Sequence, residues 1–547
     1  MTDIFKKLNV WLFIIVSLAI FLRFWQIENV PPSMYWDEVS QGYNAYSILQ
    51  TGKDEHKETL PIARFQAFGD YKAPAYIYLD VPFVALFGKT TLGVRFPSAL
   101  LGSITVLLTY FLVYELFFLH KNKKQLALAA SFLLAISPWH IQLSRAAYEA
   151  NIATFFTVLA VYLFFLAKRT KVWLFLPCVI SFVFAFYAFN AHRIFIPLFT
   201  IFLTLLYWKE LLSRKGTIIF ACIVGFILLC PFLFYLRSPE SKLRFNEVNI
   251  FSDVNVIKES NKRIVQDHNT KISQIINNRR VLFGLLYFHH YFDFFNPTYL
   301  FFSGDGNPRF SLRDNGELFL WELPLLIIGF YFLVKEKSKS SLVILIWFIL
   351  APVAAATARE TPHALRSETY IPTYQIIGAF GMVWVIQKIQ TLSIIKRNIT
   401  FLFCGGIVFF SIYLFLHNYF VHFPKNFSYE WQYGYKQAVE EAERLKNNYD
   451  YIAFTNGYGR PYIYVLFYTN ITPLEYWKQR SESRDIFGFY TVTKAGKYFF
   501  REQLVDPSDV GKKVLYVGRK QDIPNDFKKI KTINFLDGNS AFVIAER

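Results

Sequence analysis

The sequence is poor in cysteine and lacks the short motifs that bind nucleotides or catalytic zinc. All four cysteines fall inside apolar runs, where they form neither a disulfide framework in a loop nor a C-x-x-C metal pair: Cys178, Cys222, Cys230 and Cys404. The motifs G-x-x-x-x-G-K-[ST], H-E-x-x-H and G-x-S-x-G are absent. These absences argue against an ATP-driven transporter, a zinc protease of that type and a serine hydrolase. No ligand cluster demands a metal, and we expect no required cofactor.

Charged residues are also scarce. They make up 18% of the 547 residues, against about 25% in an average soluble protein, and hydrophobic residues make up 54%. The apolar residues are gathered in runs of about 17–22, the length that crosses a hydrocarbon core about 30 Å thick. We therefore predict an α-helical polytopic membrane protein whose eleven candidate spans are 8–26, 96–118, 125–143, 150–167, 172–189, 194–208, 217–236, 318–334, 341–358, 370–387 and 399–420.

The net charge of +18 would suggest a nucleic-acid partner in a soluble protein. Here the basic residues lie mostly in short clusters between apolar runs, which is typical of cytoplasmic loops. We therefore expect membrane lipids, and not nucleic acid, as partners. The clusters are Lys6 and Lys7; Lys121, Lys123 and Lys124; Lys168, Arg169 and Lys171; Lys209, Arg214 and Lys215; Lys335, Lys337 and Lys339; and Lys388, Lys396 and Arg397.

This charge pattern predicts the sidedness of the chain. The N-terminus is expected in the cytoplasm, and the first apolar run is expected to be retained because no small-residue cleavage site follows it. We predict a membrane domain over 1–420, with long outer loops at 27–95 and 237–317, and a small extracytoplasmic α/β domain over 421–547. In that last domain the pattern indicates strands at 451–455 and 513–517, a helix at 461–468 and a hairpin over 530–545.

The most distinctive motif is an acidic pair just after the first span, within Tyr35-Trp36-Asp37-Glu38. A carboxylate that is partly removed from water binds a proton more tightly, which suits a general base acting on a hydroxyl group. The alternative is structural: Asp37 would be the N-cap of a helix over 38–50, with Glu38 in its first turn. Taken alone, the motif favours the structural interpretation slightly.

Other charged residues of the first outer loop have two interpretations each. Arg95 could pair with Glu38 or bind a phosphate through two parallel hydrogen bonds, but it could also be an interfacial arginine with its charge in the headgroups. Asp70 and Lys72 could contact substrate or could simply pair with each other in a solvated turn.

Further outer turns place ionisable residues beside the ends of spans. These residues are Arg145 and Glu149, His192 and Arg193, His363 and Arg366, and Asp305 in the middle loop. One such residue is more often a capping or interfacial group than a ligand, and the turn around Asp305 could be a plain turn. Three turns with arginine and histidine on one face nevertheless predict a cationic site for a phosphate at the membrane surface.

Taken in order, these motifs resemble the protein O-mannosyltransferase superfamily of GT-C glycosyltransferases, which includes the lipid A aminoarabinose transferases. The resemblance covers roughly residues 8–420 and rests on Trp36-Asp37-Glu38, Asp70-Tyr71-Lys72-Ala73-Pro74, Gly93-Val94-Arg95-Phe96-Pro97-Ser98-Ala99-Leu100-Leu101-Gly102 and Ser137-Pro138. The family often has two prolines where this chain has Ala73-Pro74, and the β-trefoil of the eukaryotic mannosyltransferases is not visible.

The resemblance implies a donor sugar linked to a polyprenyl phosphate, inversion at the anomeric carbon and no nucleotide sugar. It implies that Asp37 is the base that deprotonates the acceptor hydroxyl, and that Glu38 orients the acceptor or pairs with Arg95. Arginines such as Arg193 and Arg366 would stabilise the departing lipid phosphate.

We therefore expect an extracytoplasmic glycosyltransferase whose hydroxyl acceptor is a lipid, a glycan or a protein. The alternatives are a transporter or flippase of lipid-linked sugars, and a non-catalytic scaffold with a glycan-binding outer domain. A transporter typically places polar groups at the bilayer midplane and often has internal repeats, whereas here the charges lie at span ends and no repeat is evident.

Overall fold

The computed structural model describes residues 10–68, 70–238, 241, 249–484 and 490–547, and its regular structure is mostly helical. The helices are α1 (Val10–Phe24), α2 (Trp36–Thr51), α3 (Pro74–Phe87), α4 (Thr91–Leu116), α5 (Lys123–Ile136), α6 (Pro138–Ser144), α7 (Glu149–Arg169), α8 (Phe175–Ala188), α9 (His192–Leu206), α10 (Trp208–Leu212), α11 (Lys215–Tyr235), α12 (Val254–Gln266), α13 (Lys271–Ile276), α14 (Arg279–Asp293), α15 (Glu322–Lys335), α16 (Lys339–Ala355), α17 (Thr373–Gln390), α18 (Ile394–His417), α19 (Phe423–Asn426), α20 (Tyr435–Leu445), α21 (Pro461–Tyr468) and α22 (Pro473–Gln479). The strands are β1 (Phe65–Ala67), β2 (Asp70–Lys72), β3 (Tyr451–Thr455), β4 (Ser481–Arg484), β5 (Tyr490–Ala495), β6 (Tyr498–Arg501), β7 (Val514–Gly518), β8 (Lys528–Asn534) and β9 (Ser540–Glu546).

Each of the eleven predicted spans coincides with a helix or a pair of adjacent helices. Among the described residues, 4 helices are long and apolar enough to cross a membrane by themselves: Thr91–Leu116, Glu149–Arg169, Lys215–Tyr235 and Ile394–Asn426. The pair α5 and α6, bent by 59° at Ser137, makes a fifth candidate. These apolar helices support the prediction of an integral membrane protein, and the count of eleven spans stays a prediction.

The chain divides into two compact units. The first comprises Met1–Arg23, Leu100–Ser144 and Glu149–Phe415, and the second comprises Phe24–Ala99, Arg145–Tyr148 and Leu416–Arg547. The first outer loop therefore belongs to the same unit as the C-terminal segment. This grouping could not be seen along the sequence, because its contacts join residues several hundred positions apart.

The first unit is a helical bundle with a continuous apolar core. Leu112, Val158, Phe199, Trp347 and Ile376 are all fully buried in it. By contrast, only 17% of the most apolar 18-residue stretch of α11 is buried, so most of its side chains point away from the bundle. A soluble protein rarely exposes so much apolar surface, and lipid is the environment that suits it.

Helices α15 and α17 approach each other closely through two glycines. A Cβ atom on Gly329 would lie 1.9 Å from the carbonyl oxygen of Ile377, and one on Gly381 would lie 2.0 Å from that of Leu325. Only glycine fits at either position. Small residues at helix crossings are typical of membrane bundles, because close packing replaces the hydrophobic driving force that lipid removes.

The second unit contains a seven-stranded mixed sheet in the order β4-β5-β6-β3-β7-β9-β8. Strand β3 pairs in parallel with β6 and with β7, and the other neighbours are antiparallel. The predicted strand at 451–455, the helix at 461–468 and the hairpin around Asp537-Gly538 are all confirmed. The C-terminal segment is thus an α/β fold, as the alternating patterns indicated.

The first outer loop contributes helices α2 and α3 and the short hairpin β1–β2 to the second unit. Helix α2 begins at Trp36 and has Tyr35 as its N-cap residue, so the prediction of Asp37 as the N-cap is wrong. The helix begins two residues earlier than predicted, and Glu38 accepts the Tyr35 N–H at 3.1 Å. Asp37 and Glu38 therefore both lie in the first turn.

Candidate active site

Asp37 presents a half-exposed carboxylate at the start of α2. The exposed fraction of its side chain is 49%, and its Oδ1 lies 2.8 Å from Nζ of Lys72. The same ammonium group donates to the backbone carbonyl of Asp37 at 3.1 Å. Lys72 is the last residue of the β1–β2 hairpin, so this short hairpin places the ammonium group beside the carboxylate of Asp37. The side chain of Asp70 lies outside the described part of the structure.

Glu38 has a different environment, although it is the next residue. It is buried, and its two oxygens accept from Nε and Nη2 of Arg95 at 2.9 and 3.0 Å. It also accepts from the backbone N–H groups of Ala147 at 3.0 Å and Tyr35 at 3.1 Å. A carboxylate has about four acceptor positions. Those of Glu38 are therefore filled by the protein itself.

Arg95 is likewise saturated. Besides Glu38, its guanidinium donates to the carbonyl oxygens of Ile27 at 2.9 Å, Pro31 at 2.9 Å and Ser33 at 2.5 Å. A guanidinium group has five N–H donors, and these contacts use all of them. Of the alternatives predicted for Arg95, the structure shows the pair with Glu38 and leaves no donor for a phosphate.

Arg145 also serves the backbone of the second unit. Its side chain is fully buried, and Nη2 donates to the carbonyl oxygens of Trp25 and Val30, both at 2.7 Å. The guanidinium carbon lies 5.0 Å from the ring centre of Phe420 and 5.4 Å from that of Tyr419. These contacts hold the turn that follows the first span.

In the first unit, Asp305 organises the loop that carries His363 and Arg366. Its carboxylate accepts from the backbone N–H of Ala364 at 2.7 Å and from that of Asn307 at 2.8 Å. Burial raises the pKa of Asp305 to about 6, although these hydrogen bonds act in the opposite direction. His363 Nδ1 lies 3.4 Å from Asp305 Oδ2, so the two predicted residues do come together.

The surroundings of His363 are cationic. Burial, followed by the charges of Arg366 and Arg309, lowers the pKa of His363 well below its ordinary value. Its ring packs on Phe310 with ring centres 4.6 Å apart. A neutral imidazole is thus flanked by two permanent positive charges, which is an arrangement that attracts an anion.

Three other predicted residues lie at the N-terminal ends of helices in the first unit. Glu149 begins α7 and is half-buried. His192 begins α9 and is fully buried, and neither of its ring nitrogens has a hydrogen-bond partner among the described residues. The guanidinium of Arg193 lies over the ring of Phe232 at 4.6 Å. The substrate-binding roles of Glu149, His192 and Arg193 stay predictions.

Sequence reasoning missed Glu317. It is buried, it accepts the backbone N–H of Asp305 at 3.1 Å, and burial raises its pKa well above the ordinary value. A single acid in a long loop gives no periodic or motif signal, so nothing in the sequence marked it. Within the described ranges, no group of three or more His, Cys, Asp or Glu residues could hold a metal ion.

The fold built by these elements is similar to that of solved GT-C glycosyltransferases. The structure of ArnT from Cupriavidus metallidurans in the apo state matches with a TM-score of 0.54 at 10% identity, covering 98% of this chain and 97% of that one. The same enzyme bound to undecaprenyl phosphate matches with a TM-score of 0.52 at 10% identity over 98% of both chains.

A longer protein with a similar fold is the oligosaccharyltransferase AglB from Archaeoglobus fulgidus, in complex with an inhibitory peptide and a dolichol-phosphate. It matches with a TM-score of 0.51 at 15% identity over 84% of this chain, which spans 63% of that protein.

At the sequence level, residues 13–248 match the family model described as dolichyl-phosphate-mannose-protein mannosyltransferase. No curated protein matches the sequence significantly. The family match and the shared fold confirm the predicted resemblance to the GT-C glycosyltransferases, and neither supports the transporter alternative.

Proposed function

We propose that this protein transfers a sugar from a polyprenyl-phosphate donor to a hydroxyl acceptor on the extracytoplasmic side of the membrane. The family match over 13–248 supports this reaction class, as does the GT-C fold shared with an enzyme whose structure contains undecaprenyl phosphate. In this proposal the N-terminus is cytoplasmic, and the basic loops stay on the cytoplasmic side.

The reaction is a single displacement with inversion. The acceptor oxygen forms a bond to the anomeric carbon while the bond from that carbon to the phosphate oxygen breaks. Asp37 takes the hydroxyl proton, and the lipid phosphate departs with the electron pair as an anion. The donor is already activated, so the reaction as proposed requires neither nucleotide nor cofactor.

The observation that carries the assignment is the contrast between the two neighbouring acids. Lys72 contacts Oδ1 of Asp37, and Oδ2 has no hydrogen-bond partner among the described residues. Glu38, by contrast, is buried and saturated by Arg95 and backbone N–H groups. Of these two acids, only Asp37 can therefore accept a proton from an incoming hydroxyl group without losing an existing hydrogen bond. Glu38 is proposed to keep α2 and Arg95 together.

A departing phosphate needs positive charge, and Arg366 is a candidate to supply it. Arg366 and Arg309 supply two permanent charges beside the neutral His363. Arg366 also donates to the backbone carbonyl of Glu360 at 3.3 Å, which orders its side chain. Arg193 is a further candidate for the same role.

The proposal is tested by replacing the base. Purified protein carrying Asp37→Asn is incubated with a panel of polyprenyl-phosphate sugars, and the release of lipid phosphate is followed. We expect a loss of about 100- to 10,000-fold in the transfer rate, because general-base catalysis typically contributes that much. Asp37→Glu, which keeps the carboxylate but moves it by one methylene group, is expected to retain part of the activity.

Asp526→Asn is the matched control, because Asp526 is an exposed aspartate in the same unit and far along the chain from α2. It should transfer sugar at the wild-type rate. If Asp37→Asn elutes as a folded protein and still transfers sugar at that rate, Asp37 is not the base.

A further inference from the structure

The segment that follows the last long helix, Trp431-Gln432, contacts both neighbours of Asp37. Gln432 binds the backbone of Trp36, the residue before Asp37, and Trp431 packs on Arg95, which holds Glu38, the residue after it. All of these residues belong to the second unit. The C-terminal segment thus fixes the acidic turn from both sides.

Gln432 uses both ends of its side-chain amide. Oε1 accepts from the backbone N–H of Trp36 at 3.1 Å and from the hydroxyl of Tyr464 at 2.5 Å, and Nε2 donates to the carbonyl of Tyr458 at 2.9 Å. The orientation of the amide is therefore determined, because a flipped amide would set its N–H groups against the N–H of Trp36. The exposed fraction of Gln432 is 7%, so water does not compete for these bonds.

One of these hydrogen bonds satisfies a backbone N–H group at the start of α2. The first N–H groups of a helix have no partner within the helix. The N-cap residue of α2 is Tyr35. Glu38 satisfies the N–H of Tyr35, and Gln432 satisfies the N–H of Trp36. The cap of the acid-bearing helix is thus supplied by a residue 396 positions away.

The backbone at Gln432 is itself unusual. Its φ angle is 53°, in the left-handed region that residues with a side chain rarely adopt. Such a conformation persists where the surroundings fix it, and it is found often at functional sites. Tyr464, which completes the cap, is held in turn by stacking on Tyr435, with ring centres 4.0 Å apart.

We propose that Gln432 is a positioning residue that sets the orientation of Asp37, so that the C-terminal segment is a working part of the catalytic machinery. This inference rests on the proposed function, since it requires Asp37 to be the base. Gln432 does not touch substrate in this account: it acts through the first turn of α2. Displacing a catalytic group by about 1 Å can reduce a rate by about 100-fold, so a weak cap would be costly.

The test compares full-length variants in steady-state transfer, using the polyprenyl-phosphate hexose that the wild-type protein turns over. Gln432→Met keeps the shape of the side chain but removes all three hydrogen bonds. We expect kcat to fall by about 10- to 100-fold while the KM for the donor changes less than about twofold. Gln432→Glu keeps the oxygen that accepts from Trp36 but places its second oxygen against the carbonyl of Tyr458, so it is expected to recover only part of kcat.

Two further variants separate positioning from general damage. Gln503→Met, an exposed glutamine in the same segment, should leave kcat and KM unchanged. If Gln432→Met does not fold, Gln432→Asn replaces it: the side chain is one methylene group shorter and cannot reach Trp36 and Tyr458 together. Its kcat should then fall with an unchanged donor KM.

The inference is overturned if the folded methionine or asparagine variant keeps wild-type kcat. An Asp37→Asn arm run beside them separates the two claims. Full activity of Asp37→Asn would remove the proposed function. Loss of activity in Asp37→Asn together with full activity in the folded Gln432→Met variant would remove only the role of Gln432.

Discussion

Glu38 in the second unit and Asp305 in the first unit are both almost inaccessible to water, yet their surroundings differ. Glu38 faces the guanidinium of Arg95 at 2.9 Å and forms half of a buried ion pair. Asp305 has only His363 as an ionic neighbour within 4 Å among the described residues, and the pKa of that histidine is itself lowered. Glu38 is compensated by a counter-charge, whereas burial without such a partner raises the pKa of Asp305 to about 6.

The comparison teaches that the two units respond to different perturbations. The acidic turn of the second unit depends on keeping a charge paired, so it should be sensitive to substitution. The pKa of the Asp305 carboxyl group is about 6, so the stability of its loop should depend on pH in that range. The first two of the three predictions below address this difference, and all three run from the largest effect to the smallest.

The largest effect is expected from Arg95→Met. It leaves Glu38 buried without its counter-charge and removes the donors to Ile27, Pro31 and Ser33. Breaking a buried pair in this way costs about 3–5 kcal/mol, which approaches the whole stability of many domains. Thermal unfolding in detergent should show a large drop in the midpoint, or no folded protein at all.

Lys528→Gln is the control for that experiment. It breaks an ion pair with Glu546 in which the lysine side chain is 77% exposed. Exposed pairs contribute little, so no measurable change is expected. An unfolding midpoint of Arg95→Met equal to that of Lys528→Gln would show that the buried pair does not hold the second unit together.

A smaller effect, of about 3 kcal/mol, is expected from the titration of Asp305. Its pKa rises from 3.8 in the unfolded chain to about 6 in the folded protein, so the folded state binds the proton more tightly. The stability that this provides is complete below pH 4 and is lost as the pH rises through 6. In Asp305→Asn this loss should be absent.

The measurement is the free energy of unfolding, or the unfolding midpoint where unfolding is irreversible, between pH 4 and pH 7. Asp526→Asn, at an exposed position, should keep the wild-type dependence on pH. A variant Asp305→Asn with the same pH dependence as the wild type would mean that this carboxyl group does not titrate differently in the folded protein.

The smallest effect concerns packing within the first unit. Gly381→Ala places a methyl group 2.0 Å from the carbonyl oxygen of Leu325, so α15 and α17 must separate. Overpacking of this kind costs about 1–3 kcal/mol. Gly405→Ala, where nothing lies within 4 Å, should leave the unfolding midpoint unchanged or slightly raised. Equal midpoints for the two variants would contradict the close contact.

Much of the fold follows from local patterns. Apolar runs located the helices that coincide with the eleven predicted spans, because a hydrophobic stretch of membrane length has few alternatives. Strand β3 and helix α21 were predicted to the residue, since apolar stretches there are bounded by turn residues such as Gly457, Gly459 and Pro461. These features depend only on neighbours in the sequence.

The candidate site was less accessible to such reasoning. The sequence offered Arg95 a choice between Glu38 and a phosphate, and only the three-dimensional contacts decide between them. Gln432 had no signal at all, because an isolated amide fits anywhere and its partner Trp36 lies 396 positions away. The middle loop, expected over 237–317, in fact contains helices α12, α13 and α14.

The distance between Trp36 and Gln432 has a consequence for biosynthesis. At about 5–20 residues per second, a ribosome needs roughly 20–80 seconds to add the 396 residues that separate them. Throughout that interval the helix that carries Asp37 has emerged without its cap. A nascent chain of this protein must therefore wait with its acidic turn incomplete until Gln432 has been made.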